Sequence, residues 1–372
     1  RMQTNGARAM QLKLLVDSPE FMAALEQDLL AATCSIYIQT YSFEGDGAGQ
    51  FITSLLLDSP VADIKLVIDC FTKWIVNDRL IYTPSSLADL ELRREISRTK
   101  QLYQQLQEKG VQIKFSNPLG FLFRKWVARN HKKLVVIDHT ITYIGGINFS
   151  EHNFAWHDVM VRIEDKQTAT MLAKDFLNSY QGKNVSARYL GDGIEIYALD
   201  GTANQEVFDH ILSIIESAQS SIVVESPYLL FPFCDSLRAA RAKGVEVTII
   251  TPEDNNMSVL REYIIQESIE ADFKLYLYRQ RMNHLKAILI DDKTLILGSS
   301  NFDYISYNLL QEIVAVITQG EIIAEFIQRV IRKDLAESRE FHAQRNTYFR
   351  RWLITIVRGC ARLAVWFGRF SR

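Results

Sequence analysis

The sequence predicts an α/β protein made of two similar lobes with mainly parallel sheets. Two observations predict this: a helix–strand pattern occurs twice, and a spaced set of polar residues is repeated within it. Residues 21–43 and 207–230 each contain an amphipathic helix, a Ser-Ile strand start and a strand ending near Tyr41 or Tyr228. Each is followed by a helix and an apolar strand, at 64–69 and 245–251, which is typical of β-α-β units.

The chain is expected to divide into an N-terminal lobe at residues 11–185, a C-terminal lobe at 194–340 and a basic tail at 341–372. The glycine-containing stretch 182–193 favours the lobe boundary. The two Ser-Ile starts are 186 residues apart but the repeated histidines only 153 apart, so the first lobe holds extra residues between Cys70 and Gly110. Within them, the polar helical stretch 85–108 is expected to form a surface excursion or lid.

The repeated polar set has the same spacing in both halves. Each copy reads His-x-Lys, four residues, Asp, and an Asn seventeen residues after the His. The copies are His131, Lys133, Asp138 and Asn148, and His284, Lys286, Asp291 and Asn301. A single match of this kind is a weak signal and favours a buried core histidine and a solvated lysine, but two copies in register argue against coincidence.

Each set surrounds a predicted hairpin of two apolar strands. Because side chains two positions apart in a strand share a face, His and Lys point the same way. The second strand runs into Gly145-Gly146 or Gly298-Ser299, which lets the backbone pass close to these side chains.

Two histidines, two lysines and two asparagines that converge between the lobes suit a phosphodiester. Lys133, Lys286, Asn148 and Asn301, with the hydroxyl of Ser299, are predicted to bind the phosphate oxygens and the charge that grows there in the transition state. One imidazole can attack phosphorus while the other protonates the leaving oxygen. The arrangement requires no metal or other cofactor.

A reactive histidine needs its second ring nitrogen held by an acceptor. Asp158 lies 27 residues after His131, and Glu312 lies 28 residues after His284. These two carboxylates are predicted to orient the histidines, although either one could be an ordinary strand-end acid. Asp138 and Asp291 belong to the candidate catalytic set by spacing, yet they follow buried strands and are expected to fix the turns rather than contact substrate.

Composition restricts the class of partner. The chain has 372 residues, 48% of them hydrophobic, and four cysteines without C-x-x-C spacing, which argues against disorder, a zinc ribbon or a disulfide framework. Residues 341–372 hold seven arginines and no other Lys, Arg, Asp or Glu, so the rest of the chain carries −9, seven below the −2 of the whole. An acidic body makes nucleic acid an unlikely partner by charge.

The tail predicts a basic amphipathic helix that contacts an anionic phospholipid membrane. The arginines fall on one face of the helix, which interrupts the apolar stretch and disfavours a membrane span. A second candidate membrane contact is the loop PLGFLFRKW at 118–126. The predicted contact residues are Phe121, Phe123, Arg351, Trp352, Arg358, Arg362 and Trp366. The alternatives are a tail helix docked on the protein's own acidic body and a buried loop.

These motifs resemble the double His-Lys-Asp signature of the phospholipase D superfamily, which stands here as HKKLVVID with GGIN and HLKAILID with GSSN. The resemblance covers about residues 21–317. It implies two α/β/α lobes related by pseudo-twofold symmetry, one shared active site and a phosphohistidine intermediate. It also implies that His131 is the nucleophile and that His284 acts as general acid and then as base.

The flanking segments are similar to those of bacterial cardiolipin synthases and related phosphatidyltransferases. They are RNHKKLVVID, GGINFSEH, WHD, VVESPYLLF, KGVEVTIITP and GSSNFD. This resemblance implies transfer of a phosphatidyl group from one phosphatidylglycerol to another with release of glycerol. Many members begin with two transmembrane helices that are not in this sequence, so peripheral attachment through the tail or the Phe-rich loop is expected, at the cytoplasmic face of a bacterial inner membrane. The second motif continues FDYIS, where this branch usually has an Arg before the Ser, which bears on the choice of acceptor.

Three alternatives remain open. The same residues serve hydrolysis, in which water takes the phosphatidyl group as in a phospholipase D. A nuclease of the same superfamily would use the same chemistry, although the acidic body disfavours it. A degenerate, non-enzymatic lipid-binding scaffold is disfavoured because every His and Lys of both motifs is present. The sequence leaves the oligomeric state open.

Overall fold

The computed structural model describes residues 10–120, 123, 125–342 and 351–370. In this part of the chain, two large sheets of seven and nine strands form the centres of two lobes. Helices pack on the sheets, and the repeated order of strands and helices relates the lobes. The α/β class and a helix at the C-terminus are thereby confirmed.

The first sheet has the order β1-β9-β8-β7-β2-β3-β6. Its strands are β1 (Gln11–Val16), β2 (Ser35–Thr40), β3 (Asp63–Asp69), β6 (Gln112–Ser116), β7 (Leu134–Ile137), β8 (Ile141–Gly145) and β9 (Val159–Glu164), and a separate small hairpin contains β4 (Ile75–Val76) and β5 (Arg79–Leu80). The helices of this half are α1 (Asp17–Ala31), α2 (Gly47–Asp58), α3 (Pro84–Ala88), α4 (Leu90–Glu108), α5 (Glu151–Phe154) and α6 (Lys166–Tyr180).

The second sheet has the order β10-β11-β17-β16-β15-β12-β13-β14-β18. Its strands are β10 (Ala187–Gly191), β11 (Ile194–Ala198), β12 (Ser221–Glu225), β13 (Glu246–Pro252), β14 (Lys274–Tyr278), β15 (Ala287–Ile290), β16 (Thr294–Gly298), β17 (Ile313–Ile317) and β18 (Ser338–Glu340). Its helices are α7 (Asn204–Glu216), α8 (Phe233–Ala242), α9 (Ser258–Ala271), α10 (Tyr304–Asn308), α11 (Gly320–Phe326) and α12 (Arg332–Ala336), the last two joined by a π-helical turn (Ile327–Ile331) and followed by the C-terminal α13 (Arg351–Phe370).

Strand direction differs from the prediction of mainly parallel sheets. Only β2–β3 and β3–β6 in the first sheet, and β12–β13 and β13–β14 in the second, are parallel pairs. The motif strands β7–β8 and β15–β16 are antiparallel hairpins, because a connection of three residues is too short for a parallel crossover. The β-α-β units were correctly recognised, but they make up only part of each sheet.

The extra residues of the first lobe do not form the predicted helical lid. Helix α4 lies in the helical layer, and its Leu102 and Leu106 are buried in the core between α1, α2 and the sheet. By order along the chain, α4 corresponds to α9 of the second lobe. The insertion is instead the segment 70–89, which contains a 3-10 turn (Cys70–Lys73), the β4–β5 hairpin and α3.

The motif aspartates hold the turns of the two hairpins. Asp138 accepts hydrogen bonds from the backbone N–H groups of Thr33, Cys34 and Ser35, at 2.7–2.9 Å. Asp291 accepts the equivalent bonds from residues 219, 220 and 221, at 2.8–3.0 Å. Each carboxylate ties a turn to the start of the neighbouring strand. Their place in the candidate catalytic set is therefore corrected to a structural one, as their position after a buried strand had favoured.

One apolar core crosses between the lobes. Residues of the first sheet and α6 pack with residues of the second sheet and α11 in a single buried cluster. A buried ion cluster reinforces this contact: His157 bonds Asp17 through Nδ1 (2.6 Å) and Asp334 of the second lobe through Nε2 (2.8 Å). Burial alone would lower the pKa of His157, but the two carboxylates outweigh it and raise the pKa to about 10, so this histidine is charged and links the lobes.

The C-terminal helix α13 packs on the second lobe. Its Val357 and Val365 are buried, and Gly368 permits a close approach, since a Cβ there would lie 2.5 Å from Leu309 Cδ1. Arg358 forms ion pairs with Asp235 (2.5 Å) and Glu267 (3.2 Å). The alternative of a tail helix docked on the protein's own acidic residues thus describes this side of α13.

The predicted membrane contacts separate into two groups. The Arg358 guanidinium is engaged with the body. That of Arg362 stacks 5.3 Å from the Phe231 ring and remains exposed. Trp352, Trp366 and Phe123 are each about half exposed. Phe121 and the side chain of Arg351 lie outside the described residues. Within the described chain, every helix is too short or too polar to cross a bilayer.

Replacing Asp291 by Asn is expected to lower the free energy of unfolding at pH 7 by about 1–2 kcal/mol, because three backbone donors lose a charged acceptor. Burial raises the pKa of Asp291, but these bonds outweigh it and lower the pKa to about 2, against about 3.9 for an unfolded Asp. A carboxyl with a lowered folded pKa stabilises fully above about pH 4 and loses this contribution as the pH falls towards 2.

Denaturant unfolding of the Asp291→Asn variant should therefore differ from wild type at neutral pH and converge with it in acid. The matched control is Asp292→Asn, an exposed neighbour in the same turn. An equal loss in the control, or a difference that persists in acid, would contradict this account.

Candidate active site

Backbone contacts between the lobes position the two motif histidines. Asn130 pairs with Gln311, and His157 pairs with Asn283, as isolated parallel bridges. In the first, the N–H of His131 donates to the carbonyl of Gln311 (2.9 Å). In the second, the N–H of His284 donates to the carbonyl of His157 (2.8 Å). These bonds fix His131 beside the residue that follows Gln311, and they fix His284 beside the residue that follows His157. Each of these neighbours belongs to the opposite lobe.

The orienting carboxylates are consequently exchanged between the lobes. His131 Nδ1 lies 3.0 and 3.2 Å from the two carboxylate oxygens of Glu312. His284 Nδ1 lies 2.7 Å from Asp158 Oδ2. Both predicted orienters contact a motif histidine, and each contacts the histidine of the opposite half. With Nδ1 used in this way, Nε2 is the ring nitrogen left for chemistry.

The two carboxylates differ in their surroundings. A Cβ on Gly146 would lie 2.3 Å from both oxygens of Asp158, so glycine is needed for this approach. At the corresponding position, Ser299 is fully buried and donates its hydroxyl to Glu312 (2.5 Å). The prediction that Ser299 binds phosphate is corrected: its hydroxyl supports the carboxylate that holds His131.

These surroundings shift the pKa values in opposite directions. Burial raises the pKa of Asp158 to about 6, against the effect of Lys286. Burial would also raise the pKa of Glu312, but His131, Lys133 and the Ser299 hydroxyl outweigh it and lower that pKa. Burial lowers the pKa of His131 despite Glu312, and burial with Lys286 and Lys133 holds the pKa of His284 well below its usual value. Both imidazoles are therefore neutral at neutral pH.

The motif lysines are almost wholly buried, with about 1% of each residue exposed. Lys133 Nζ donates to the carbonyl of His131 (2.9 Å), and Lys286 makes the same contact with His284. Burial lowers the pKa of Lys133 to about 7 and that of Lys286 to about 8. Two poorly solvated ammonium groups favour an anion between them, since a bound anion replaces the solvation that burial removes.

His131, His284 and Asn148 line one cavity of about 130 Å³. The Asn148 amide donates to Asn153 (3.1 Å), and its carbonyl accepts from Thr40 (3.4 Å). Asn301 keeps a buried Oδ1 without a hydrogen-bond partner among the described residues. The structure thus brings both histidines and Asn148 to a common space, with the lysines behind them.

Two tyrosines in the cavity wall were not predicted as site residues. The ring of Tyr41 lies 5.5 Å from that of His131, and the ring of Tyr228 lies 6.0 Å from that of His284. The Nζ atoms of Lys133 and Lys286 lie 5.7 and 6.0 Å from the same rings. Each tyrosine stands shortly after its strand, Tyr41 six residues after Ser35 and Tyr228 seven residues after Ser221, and this near-match in the repeat is the signal that could have identified them.

Acidic and amide side chains also line the cavity. Glu44, Asp78, Asn153 and Asn256 line it, together with Trp156, whose ring lies 4.8 Å from His284. Burial raises the pKa of Glu44 to about 8, so its carboxyl is largely protonated near neutral pH. These residues lie outside both motifs, and no spacing rule identified them in the sequence.

Solved structures share this two-lobed fold. A phosphatidylserine synthase of Haemophilus influenzae has a TM-score of 0.70 at 16% identity, over 95% of this chain and 93% of that chain. A polyphosphate kinase of Porphyromonas gingivalis has a TM-score of 0.59 at 12% identity, over 96% of this chain and 54% of that one. At these identities the likeness establishes the two-lobed fold alone.

The family follows from sequence comparison. A family model described as cardiolipin synthase, phospholipase D-like domain matches residues 25–180 and 211–333, well over half of the chain. The chain belongs to this family. A probable cardiolipin synthase of Bacillus subtilis is 26% identical over 353 residues, covering 88% of this chain and 66% of the relative. The minor cardiolipin synthase ClsB of the same organism is 26% identical over 351 residues, covering 88% and 82%. The chain thus spans about two thirds of the length of several relatives.

Adjacent lysines should respond oppositely to removal of their charge. Lys132 is buried and donates to both oxygens of the buried Asp175, at 2.7 Å, so Lys132→Met leaves a carboxylate without its partner. Loss of one member of a buried pair costs about 3–5 kcal/mol. Lys133→Met instead removes an ammonium that the folded state disfavours, and should maintain or raise the melting temperature at pH 7.

Thermal unfolding of the two single variants checks this contrast between neighbours of identical type and burial. A large loss of stability in Lys133→Met would show that the folded protein does not disfavour this buried ammonium.

Proposed function

We propose that the protein is a phosphatidyltransferase that moves a phosphatidyl group from one phosphatidylglycerol to the hydroxyl of another, with release of glycerol. The observation that carries this proposal is the pair of crossed histidine–carboxylate contacts bordering one cavity, with a lysine behind each. Two oriented imidazoles permit a two-step exchange at phosphorus, because one can hold the transferred group while the other moves protons.

In the first step, neutral His131 attacks phosphorus through Nε2, while Glu312 holds the proton on Nδ1. The bond from phosphorus to the glycerol oxygen breaks, and His284 donates a proton to that oxygen. Burial and the two lysines keep His284 neutral. The negative charge of a bound phosphodiester offsets Lys133 and Lys286 and favours the protonated form of His284. Glycerol leaves and a phosphohistidine remains.

In the second step, the head-group hydroxyl of another phosphatidylglycerol gives its proton to His284 and attacks the phosphohistidine. The bond from phosphorus to His131 breaks, which restores both histidines. The buried lysines, with Asn148 and Asn301, stabilise the charge on the phosphate oxygens through both steps. Asp158 keeps His284 oriented while it changes from acid to base.

The polar wall supports a head group rich in hydroxyls. Glu44, Asp78, Asn153 and Asn256 supply both donors and acceptors to a cavity of about 130 Å³, which suits the hydroxyls of glycerol. The names of the relatives support phosphatidylglycerol as substrate. Acyl chains do not fit in so small a space, so the protein is proposed to act as a peripheral protein at an anionic membrane, on the cytoplasmic face of a bacterial inner membrane.

Incubation with vesicles of phosphatidylglycerol carrying a deuterated head-group glycerol, in water enriched in oxygen-18, should yield cardiolipin with one labelled bridging glycerol. Free labelled glycerol should appear in equal amount. Mass spectrometry identifies both products, with His131→Ala as the inactive blank. His210→Ala, a half-exposed histidine outside the cavity, should retain activity. Phosphatidic acid that contains oxygen-18 would instead establish hydrolysis, and lack of any turnover would refute a lipid phosphodiester as the substrate.

The two histidines should differ in a trapping experiment. The His284→Ala variant keeps the nucleophile but lacks both the acid of the first step and the base that activates the acceptor in the second, so phosphohistidine should form slowly and persist on it after acid-free quenching. None should form on His131→Ala. Mass spectrometry of peptides that contain residue 131 or residue 284 measures this, and the reverse pattern would exchange the two roles.

A further inference from the structure

Exposed apolar side chains are concentrated on four segments. Of the described residues, seventeen large apolar side chains are exposed, and thirteen of them belong to these segments. Four lie at 80–90, two at 123–126, two at 257–259 and five on α13. The remaining four, Leu30, Phe51, Val185 and Leu190, are scattered. A concentration of this kind on a folded surface marks an interaction site.

Helix α13 has apolar residues on two opposite sides. The inner side packs on the second lobe through Val357, Val365 and Gly368. The outer side carries Trp352, Ile356, Leu363, Trp366 and Phe367, each 50–58% exposed. At 100° per residue, these five fall within an arc of about 100° that is opposite the packed side. The helix therefore presents an apolar ridge outward, although its inner side is already satisfied.

Three of the four segments are connected to one another. Trp74 contacts Tyr82 of the first segment (5.3 Å between ring centroids) and Phe123 of the second (4.9 Å). Val127, directly after the second segment, packs in one cluster with Val365 of α13. We name the exposed apolar residues of the four segments the apolar face.

The apolar face borders the mouth of the cavity. Ile75 and Asp78, which line the cavity, directly precede its first segment, and Asn256 directly precedes Met257. The hydroxyl of Tyr228 donates to Asn256 (2.6 Å), which connects this loop to the cavity wall. The apolar face and the reacting groups thus share the same loops.

We propose that the apolar face rests on the surface of an anionic phospholipid bilayer, with the α13 ridge inserted among the acyl chains and the cavity mouth opening onto the lipid. This inference depends on the proposed function for its choice of partner. A substrate with two acyl chains leaves them outside a cavity of about 130 Å³, and the apolar surface next to the mouth is where they are accommodated. Exposed Lys125 and Arg362 on two of these segments supply cations for anionic head groups.

The sequence of α13 suggests that its arginines contact the membrane, but the orientation of the helix reverses this assignment. Arg358 secures the helix to Asp235 and Glu267 of the body, and the tryptophans, not the arginines, provide the principal contact with lipid. Trp is suited to this position because its amphipathic ring partitions into the head-group region, and the apolar Phe ring adds buried area below it.

A double variant, Ile356→Asp with Leu363→Asp, tests the ridge. The matched control is Leu30→Asp with Leu190→Asp, which adds the same charge at exposed leucines (66% and 59%) outside the apolar face. Co-sedimentation with vesicles of phosphatidylcholine and phosphatidylglycerol should show a partition coefficient about tenfold or more lower for the ridge variant, and a nearly unchanged one for the control. In wild type, brominated acyl chains should quench the tryptophan fluorescence.

Dibutyroyl phosphatidylglycerol, kept monomeric in solution, separates docking from catalysis. The ridge variant should turn over this substrate as wild type does, yet be much slower on vesicles. If wild type binds vesicles through the ridge but converts neither substrate, the docking inference stands and the proposed function fails.

Vesicle binding of the ridge variant equal to that of wild type would overturn the inference, as would equal losses in variant and control. Analytical ultracentrifugation tests the other occupant: a wild-type dimer that the ridge variant abolishes, with vesicle binding unchanged, would make the apolar face a contact between copies of the chain.

Discussion

The candidate active site depends on two backbone bridges between the lobes. Each bridge places a motif histidine next to a carboxylate from the opposite half, so neither lobe contains a complete histidine–carboxylate pair. The shared apolar core and the charged His157 between Asp17 and Asp334 hold the two sheets in the relation that this exchange requires. Distances of about 3 Å at the reacting groups are thus a product of packing across the whole lobe interface, which is why these residues are so deeply buried.

Burial of this kind costs solvation free energy, and in this site the cost falls on the two motif lysines. A lysine without a carboxylate partner is poorly solvated in the interior, and the lowered pKa values of Lys133 and Lys286 reflect it. Lys132, one position away, has Asp175 and shows what a balanced lysine in the same core looks like. Lys132 thus serves the fold through its ion pair, whereas the ammonium of Lys133 is available to an anionic substrate.

Much of this could be predicted from the sequence, because repetition with fixed spacing is a strong signal. The histidines, lysines, Asn148 and both orienting carboxylates were identified from it. The exchange of carboxylates was not, since Asp158 and Glu312 stand at almost equal distances from their own histidines along the chain and spacing contains no information about the other lobe. The β-α-β units predict mainly parallel sheets, but the antiparallel pairs formed by the motif hairpins and the edge strands outnumber the parallel pairs. The orientation of α13 depends on Asp235 and Glu267, which are remote in sequence. Ser299 was assigned to phosphate because spacing does not show that its hydroxyl reaches Glu312.

The exchanged pairs also make the chemistry conditional on assembly. In a chain whose lobes have folded but not yet docked, both imidazoles lack their acceptors, so neither half has an oriented base. Reactivity toward phosphodiesters therefore arises only when the last large surface is buried. Docking of the lobes is therefore a condition for activity, and a misassembled molecule is inert instead of indiscriminately reactive.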